Sequence, residues 1–313
     1  MHKLPLTMLA QFNEVTVFQT AALQMTDCED SGFEGADVRF ADFESTALEM
    51  YAEKSQQMLQ TGQTSYGNLN LGLHVADIPA RVLGNRMRLL TAINRQLVVQ
   101  QRTAIKRLHW VNQVHGKQIH NVDTSAFSMR PVDADAMVSK QADLGLAIMT
   151  ADCVPIVLYQ PASGQIAAIH AGWQGLACGI IKATTERFTA AGDIMAWIGV
   201  CISQAHYEVG RQVRDKLLTG CIENNSLSAE HLDNFAALFS VIANSTDGNN
   251  KIKLDLPKLA AYQLETLGVR ICNDAVINCS YANTHYYSYR RQTHLQQPAT
   301  GRMALIIVRS LDI

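Results

Sequence analysis

The sequence predicts an α+β fold, a single domain with a mixed β-sheet and packed helices, on three observations. Short apolar runs of strand length crowd residues 107–171 and return at the end of the chain. Two further segments carry apolar residues at helical spacing, each opened by an Asp-Xaa-Pro. Strands and helices do not follow strict βαβ alternation.

The 313 residues are 48% hydrophobic and 17% charged, ordinary for a globular chain and enough to bury a substantial core, which excludes extensive disorder. Lysine plus arginine number 26 and aspartate plus glutamate 28, so the net charge of −2 offers no basic field to a phosphate backbone or an anionic membrane. Nucleic acid and membrane are therefore not expected partners. The longest apolar stretches, LGLAIM and RMALIIV, fall short of the ~20 residues a membrane helix needs, and MHKLPLTMLAQFNEV lacks the apolar core of an export signal. Seven cysteines without a C-x-x-C pair fit a reducing compartment, so the expected location is the cytoplasm. Nothing in the sequence sets an oligomeric state.

Residues 1–64 read as a divergent N-terminal segment of the same domain as the core, 65–313. Between 27 and 53 this segment holds an acidic insertion, nine acids against one base, Arg39, and a helical pattern follows in STALEMYAEKSQQML. Next, Asp77 is placed to cap a helix with Pro79 in its first turn, and Val82, Leu83, Leu89, Leu90, Ile93 and Leu97 share one side. Strands are expected over LHWVNQVHG, ADAMVS, LGLAIMT, VPIVLYQ and IAAIHA, with Pro161, Ser163 and Gly164 making a hairpin-like break. One helix is expected over LACGIIKATTERFTAAG, with Leu176, Ile180 and Phe188 on one face and Gly192 just past its end. IMAWIGVCIS reads as a buried strand, and residues 222–251 as a loop around a short helix. Asp255 and Pro257 open the helix LPKLAAYQLETLG, which Gly268 ends, and the strands VINCSY and RMALIIV close the chain.

Three strand-end segments each carry one soft or borderline metal ligand: His115 in NQVHG, Cys153 in TADCVP and His170 in HAGWQG. Residues 38 and 17 positions apart can converge from neighbouring strand ends. Thiolate with two imidazoles suits Zn²⁺, and three protein ligands leave a fourth position open, the arrangement of a catalytic site. A buried apolar cysteine and two turn histidines would explain the same residues one at a time.

The ordered string SYGNLNLGLHVAD, WVNQVHG, DADAMVS, MTADCVPIVLY, AAIHAGWQGL, WIGVCIS, HYEVG, YSYRR and TGRMA resembles the YfiH-like family, also labelled polyphenol oxidase or laccase domain, purine nucleoside phosphorylase and peptidoglycan editing factor. The resemblance covers roughly residues 65–308. It implies an α+β fold and a zinc-dependent purine nucleoside phosphorylase acting on adenosine, inosine and methylthioadenosine, with adenosine deaminase activity besides. The small-molecule partners it implies are a purine nucleoside and phosphate. The family's metal ligands fall on His115, Cys153 and His170, which are also the expected catalytic residues. Asn70 and His74 lie in its S-L-N-L-G-x-H pattern and Asp152 beside Cys153. These three are expected around the substrate, as are Arg290 and Arg291 of SYRR, which can grip an anion. For each there is a plain structural alternative: a turn amide for Asn70, backbone capping for Asp152, a surface pair for the arginines.

Two departures stand out. The family's Ser-Thr-Arg followed by Gly-Gly is replaced by VFQTAALQM, and Gln174 stands where H-A-G-W-R-G has arginine. Both remove positive charge, which predicts weak use of phosphate if it binds near Gly172, Gly175 and the helix that follows. Two other readings remain: a cysteine hydrolase or amidase in peptidoglycan editing with Cys153 as nucleophile, and a zinc-stabilised binding protein without catalysis. Multicopper chemistry is not expected, because the ten histidines include no H-x-H pair.

Overall fold

The computed structural model describes residues 4–22, 66–124, 131–243, 251–273 and 276–313; the acidic insertion and the helix expected after it lie outside them. In chain order come β1 (Leu6–Phe12), β2 (Val15–Thr20), α1 (Pro79–Val99), β3 (Arg107–His109), β4 (Ile119–Asn121), β5 (Ala136–Ser139), β6 (Leu144–Thr150), β7 (Val154–Gln160), β8 (Gln165–Ala171), α2 (Trp173–Ala177) and α3 (Ile180–Thr185). The second half adds β9 (Met195–Ile198), β10 (Glu208–Gly210), α4 (Arg211–Glu223), α5 (Ala229–Asp233), α6 (Phe235–Phe239), β11 (Ser240–Ile242), β12 (Lys251–Leu254), α7 (Leu256–Thr266), β13 (Arg270–Ile271), α8 (Tyr289–His294) and β14 (Met303–Arg309).

These strands form three sheets, ordered β1-β2-β14-β6-β3, β13-β9-β7-β8-β5-β4 and β10-β12-β11, the first two mixing parallel and antiparallel pairs and the third antiparallel. The two large sheets pack face to face. Leu146 and Ile148 of β6 and Leu305 and Ile307 of β14 meet Val157 and Tyr159 of β7 and Ile166 and Ala168 of β8 between them. The alternate residues face outward but are also covered: Ile306 and Val308 lie under Leu89, Ile93 and Leu97 of α1. Ile156 and Ile169 lie under Leu176, Ile180 and Leu264 of the helices on the other side. Helix, sheet, sheet and helices thus form four layers. This is why the central strands read as unbroken apolar runs: both faces of each are buried.

Several expectations are corrected by packing. The N-terminal strands β1 and β2 gave no strand signal, yet β2 pairs with β14 from the far end of the chain. Helix α1 begins at Pro79 without a side-chain cap, and the Asp77 carboxylate instead accepts from the Ile78 amide at 2.7 Å and from Asn70 Nδ2 at 3.0 Å. The single helix expected over residues 176–192 is two, because Gly179 adopts a left-handed φ of 77° between α2 and α3. Gly192, with φ of 123°, lies in the turn beyond rather than at a helix end. In LHWVNQVHG the strand ends at His109 and only a single bridge, Asn112 with Asp133, follows, while VINCSY contributes the bridge between Cys201 and Cys279. Asp255 does cap α7, accepting from the Lys258 amide at 3.0 Å.

Candidate active site

Register brings the ligands together. In the β7–β8 hairpin Val154 pairs with Ala171 and Pro155 with His170, so Cys153, one residue before β7, lies at the strand end where β8 delivers His170. His115 arrives on the turn between β3 and β4, in the left-handed region at φ of 60°. One carboxylate ties that turn to the sheet: Asp135, fully buried just before β5, accepts from the amides of His115 at 2.9 Å and Gly116 at 2.6 Å. The same side chain lies 2.9 Å from Nδ1 of His170. With Nδ1 so engaged, Nε2 is the His170 nitrogen left to face the site.

The candidate ligand atoms of His115, Cys153 and His170 all lie within 4.8 Å of one another, with Cys153 Sγ 3.9 Å from His115 Nε2. Among the described residues this is the one group of three or more His, Cys, Asp or Glu able to hold a metal ion. A side chain at Gly172 would put its Cβ 3.0 Å from Cys153 Sγ and 3.4 Å from the His115 ring, so glycine keeps the space between the ligands open. Thiolate, two imidazoles and a carboxylate behind one of them fit a borderline-soft divalent ion.

Electrostatics agree with that donor set. Burial alone pushes the Cys153 thiol up, but the His170 charge and the hydrogen bonds of both histidines outweigh it and bring the thiol down to about 6. His170 moves the opposite way: burial opposes its charge, yet Cys153 and Asp135 raise it to about 9. Asp135 is pushed up by burial but held below the usual carboxylate range by His170 and the two amides. A thiolate is the form that binds a metal or attacks a carbon.

The expected substrate contacts divide. Asn70 is fully buried; Nδ2 donates to Asp77 and Gly72 O, and Oδ1 accepts from the amides of Gly72 and Arg302, so its amide shapes the turn. His74 is exposed on a short 3-10 turn, and partial enclosure with the nearby charges of Arg302 and Arg86 lowers its pKa to about 4. Asp152 takes the backbone role: at φ of 109°, it accepts from Ser280 Oγ and from the Arg290 amide, both at 2.6 Å. Burial nonetheless holds its carboxyl above the usual range. Arg291 donates to the carbonyls of Ser280, Tyr281 and Tyr286, pinning that loop. Arg290 donates to Glu208 O at 2.5 Å, with its guanidinium 5.2 Å from the centre of the Tyr207 ring.

Gln174 is exposed on α2 and lines a cleft of about 790 Å³ with Lys117, Cys178, Asp215 and Lys216; none of the three candidate ligands lines it. Asp135 was not singled out by the sequence, although an aspartate directly before a strand in DADAMVS is the available signal. Arg86 and Arg302 also went unnoticed, the first on the flank of an amphipathic helix, the second inside TGRMA.

Comparison with known proteins shows what the chain is similar to. The family described as multi-copper polyphenol oxidoreductase laccase matches residues 55–310. A Pseudomonas aeruginosa protein named purine nucleoside phosphorylase is 31% identical over 247 residues, covering 78% of this chain and 87% of its own length. Escherichia coli purine nucleoside phosphorylase YfiH is 31% identical over 244 residues, with 77% and 86% covered. Among solved structures, a Neisseria meningitidis protein superposes with a TM-score of 0.68 at 26% identity, covering 99% of this chain and 100% of its own. YlmD of Geobacillus stearothermophilus does so with 0.60 at 27% identity, covering 79% and 87%. With the match running from residue 55 to 310, this chain belongs to the YfiH family, whose domain is described as a multi-copper polyphenol oxidoreductase laccase.

Proposed function

We propose that this protein is a zinc-dependent purine nucleoside phosphorylase acting on adenosine, inosine and methylthioadenosine in the cytoplasm, with adenosine deaminase activity as a second reaction. The observation that carries the reading is the cluster of His115, Cys153 and His170 with Asp135 behind it. The names of the Pseudomonas and Escherichia relatives support the substrate class. A single cluster among the described residues supports one ion over the several coppers that laccase chemistry needs. Among the described residues, no helix is long and apolar enough to cross a membrane.

His115, Cys153 and His170 would hold a Zn²⁺ ion, which would supply Lewis acidity. The chain's own residues prepare the site. Asp135 fixes the His170 tautomer and the His115 turn in one act. Cys153 enters as the thiolate. His74, its pKa lowered to about 4 first by burial and then by the Arg302 and Arg86 charges, is neutral at pH 7. In phosphorolysis, phosphate bonds to the sugar carbon while the purine leaves with the bonding electrons and takes up a proton; in deamination, water adds to the purine carbon and the amino group leaves as ammonia.

The test is metal analysis of the purified protein, with product analysis of adenosine turnover with and without phosphate. One zinc per chain, lost on Cys153→Ala, with adenine and a sugar phosphate as products, is the expected result. Zinc without turnover of any nucleoside would sink the enzyme reading. The depressed Cys153 thiol favours one rival, the cysteine hydrolase. In the metal reading Cys153 resists alkylation until a chelator is added; rapid labelling of active, zinc-loaded protein would favour the hydrolase.

A further inference from the structure

Helix α1 delivers Arg86 to the end of β6, against Met149. Its Nε and Nη2 donate to Leu71 O at 3.0 and 2.8 Å, its guanidinium stands 4.2 Å from the centre of the Trp110 ring, and Nη2 lies 3.6 Å from Met149 Sδ. Arg302 comes from the opposite direction, immediately before β14. Its amide is held by Asn70 Oδ1 at 2.9 Å and its Nη1 donates to Thr300 O and Gly301 O. The Arg302 stem and the His74 ring flank Gly72, where an added Cβ would lie 2.8 Å from Arg302 Cγ and 3.4 Å from His74 Cε1.

Both arginines converge on the end of β6. Met149, beneath Arg86, precedes Thr150, and Thr150 pairs with Met303, the residue after Arg302. Thr150 Oγ1 in turn donates to Cys153 O at 2.6 Å, so the Arg86 guanidinium and the backbone next to Arg302 both lie at the strand end from which the Cys153 turn springs. Neither has a carboxylate within ion-pair distance among the described residues. Nor do Arg86 Nη1 and Arg302 Nη2 meet an acceptor there. The nearby acids are engaged elsewhere: Asp77 with Asn70 and the Ile78 amide, Asp152 with Ser280 and the Arg290 amide. Arg302 feels the Cys153 and Asp152 charges at a distance, but neither arginine has a direct ion-pair partner among the described residues, and a bound anion would complete the site.

We propose that Arg86 and Arg302, with His74 at their side, form the subsite that holds the phosphate co-substrate over the metal centre. The inference rests on the phosphorylase reading and deepens it. Guanidinium forks match the oxygens of a tetrahedral dianion. Burial lowers the Arg86 pKa to about 10, which still leaves it cationic at neutral pH, and Arg302 is likewise lowered by burial while Cys153 and Asp152 oppose the shift. The two other places for the anion are poorer. Arg291 is taken up by backbone carbonyls, and Gln174 carries no charge. The arginine lost at position 174 therefore leaves the phosphate subsite intact.

The experiment titrates inorganic phosphate into the zinc-loaded protein by calorimetry, with zinc stoichiometry measured on every variant. Arg302→Gln is expected to weaken phosphate binding by about ten- to a hundredfold with zinc content unchanged. Arg86→Lys retains a cation where Arg86 also braces Leu71, and is expected to fold, bind zinc and lose affinity to a smaller degree. Wild-type phosphate affinity in folded, zinc-loaded Arg302→Gln would overturn the proposal, as would a loss confined to Arg290→Gln or no phosphate binding by the wild type. Failure of the function itself looks different: adenosine cleavage that ignores phosphate, in a protein that still binds phosphate through Arg302, refutes the phosphorylase and leaves the anion subsite standing.

Discussion

Asp135 controls the orientation of two ligands from one buried position, through the His115 turn and through Nδ1 of His170. Removing its charge while keeping its shape isolates that role. Asp135→Asn is expected to lower zinc affinity by about ten- to a hundredfold, read by competition with a chromogenic chelator, in a protein that still folds. A second residue-scale prediction concerns His109, whose Nε2 has no hydrogen-bond partner among the described residues. Burial first, then the Arg107 and His120 charges, lower its pKa to about 4, against 6.5 for the free side chain. Below pH 6.5 the unfolded chain takes up a proton that the folded chain refuses. Stability conferred by the neutral ring is therefore complete above pH 6.5 and lost as pH falls toward 4. His109→Gln is expected to flatten the loss of melting temperature across that window; an unchanged slope would show that other groups set it.

At the scale of elements, the break between α2 and α3 shows how one residue overrides a periodic pattern. The apolar spacing of Leu176, Ile180 and Phe188 is helical, and all three are buried. Gly179 nonetheless turns the chain with a left-handed φ, and Asn224 sits 3.0 Å from where its Cβ would be. Gly179→Ala is expected to cost about 1–2 kcal/mol, since an L residue is strained there, and to lower the melting temperature measurably. Tolerance of alanine would mean that the two helices can merge. The β7–β8 hairpin, by contrast, was legible throughout: its apolar runs, its turn and its boundary with Cys153 all follow from local pattern.

At the scale of the molecule, the two large sheets supply the platform, and their shared interior is where a core change is most costly. Ile307 lies at 0% exposure between them. Ile307→Ala is expected to destabilise the protein by about 2–5 kcal/mol in urea unfolding while zinc stoichiometry of the folded fraction stays unchanged. A loss of zinc from folded protein would mean that the sheet interface and the site are more tightly linked than the layers suggest.

Local chemistry in the sequence by itself determined much: the α+β class, the buried central strands and the Asp255 cap; His115, Cys153 and His170 were marked as a donor set by the family resemblance, and the fold brings the three together. These depend on pattern and residue type, which a linear reading sees. Only the tertiary structure decided the rest. The β1–β2 hairpin is a strand pair because β14, almost 300 residues later, offers it an edge. Asp152 turns out to cap the start of α8 through the Arg290 amide, Arg291 to pin a loop, and Asn70 to hold a turn, because their partners lie far away in sequence. Asp135, Arg86 and Arg302 acquire meaning for the same reason. A buried charge is defined by what surrounds it, and for these residues the surroundings are assembled from strands and turns that only folding brings together.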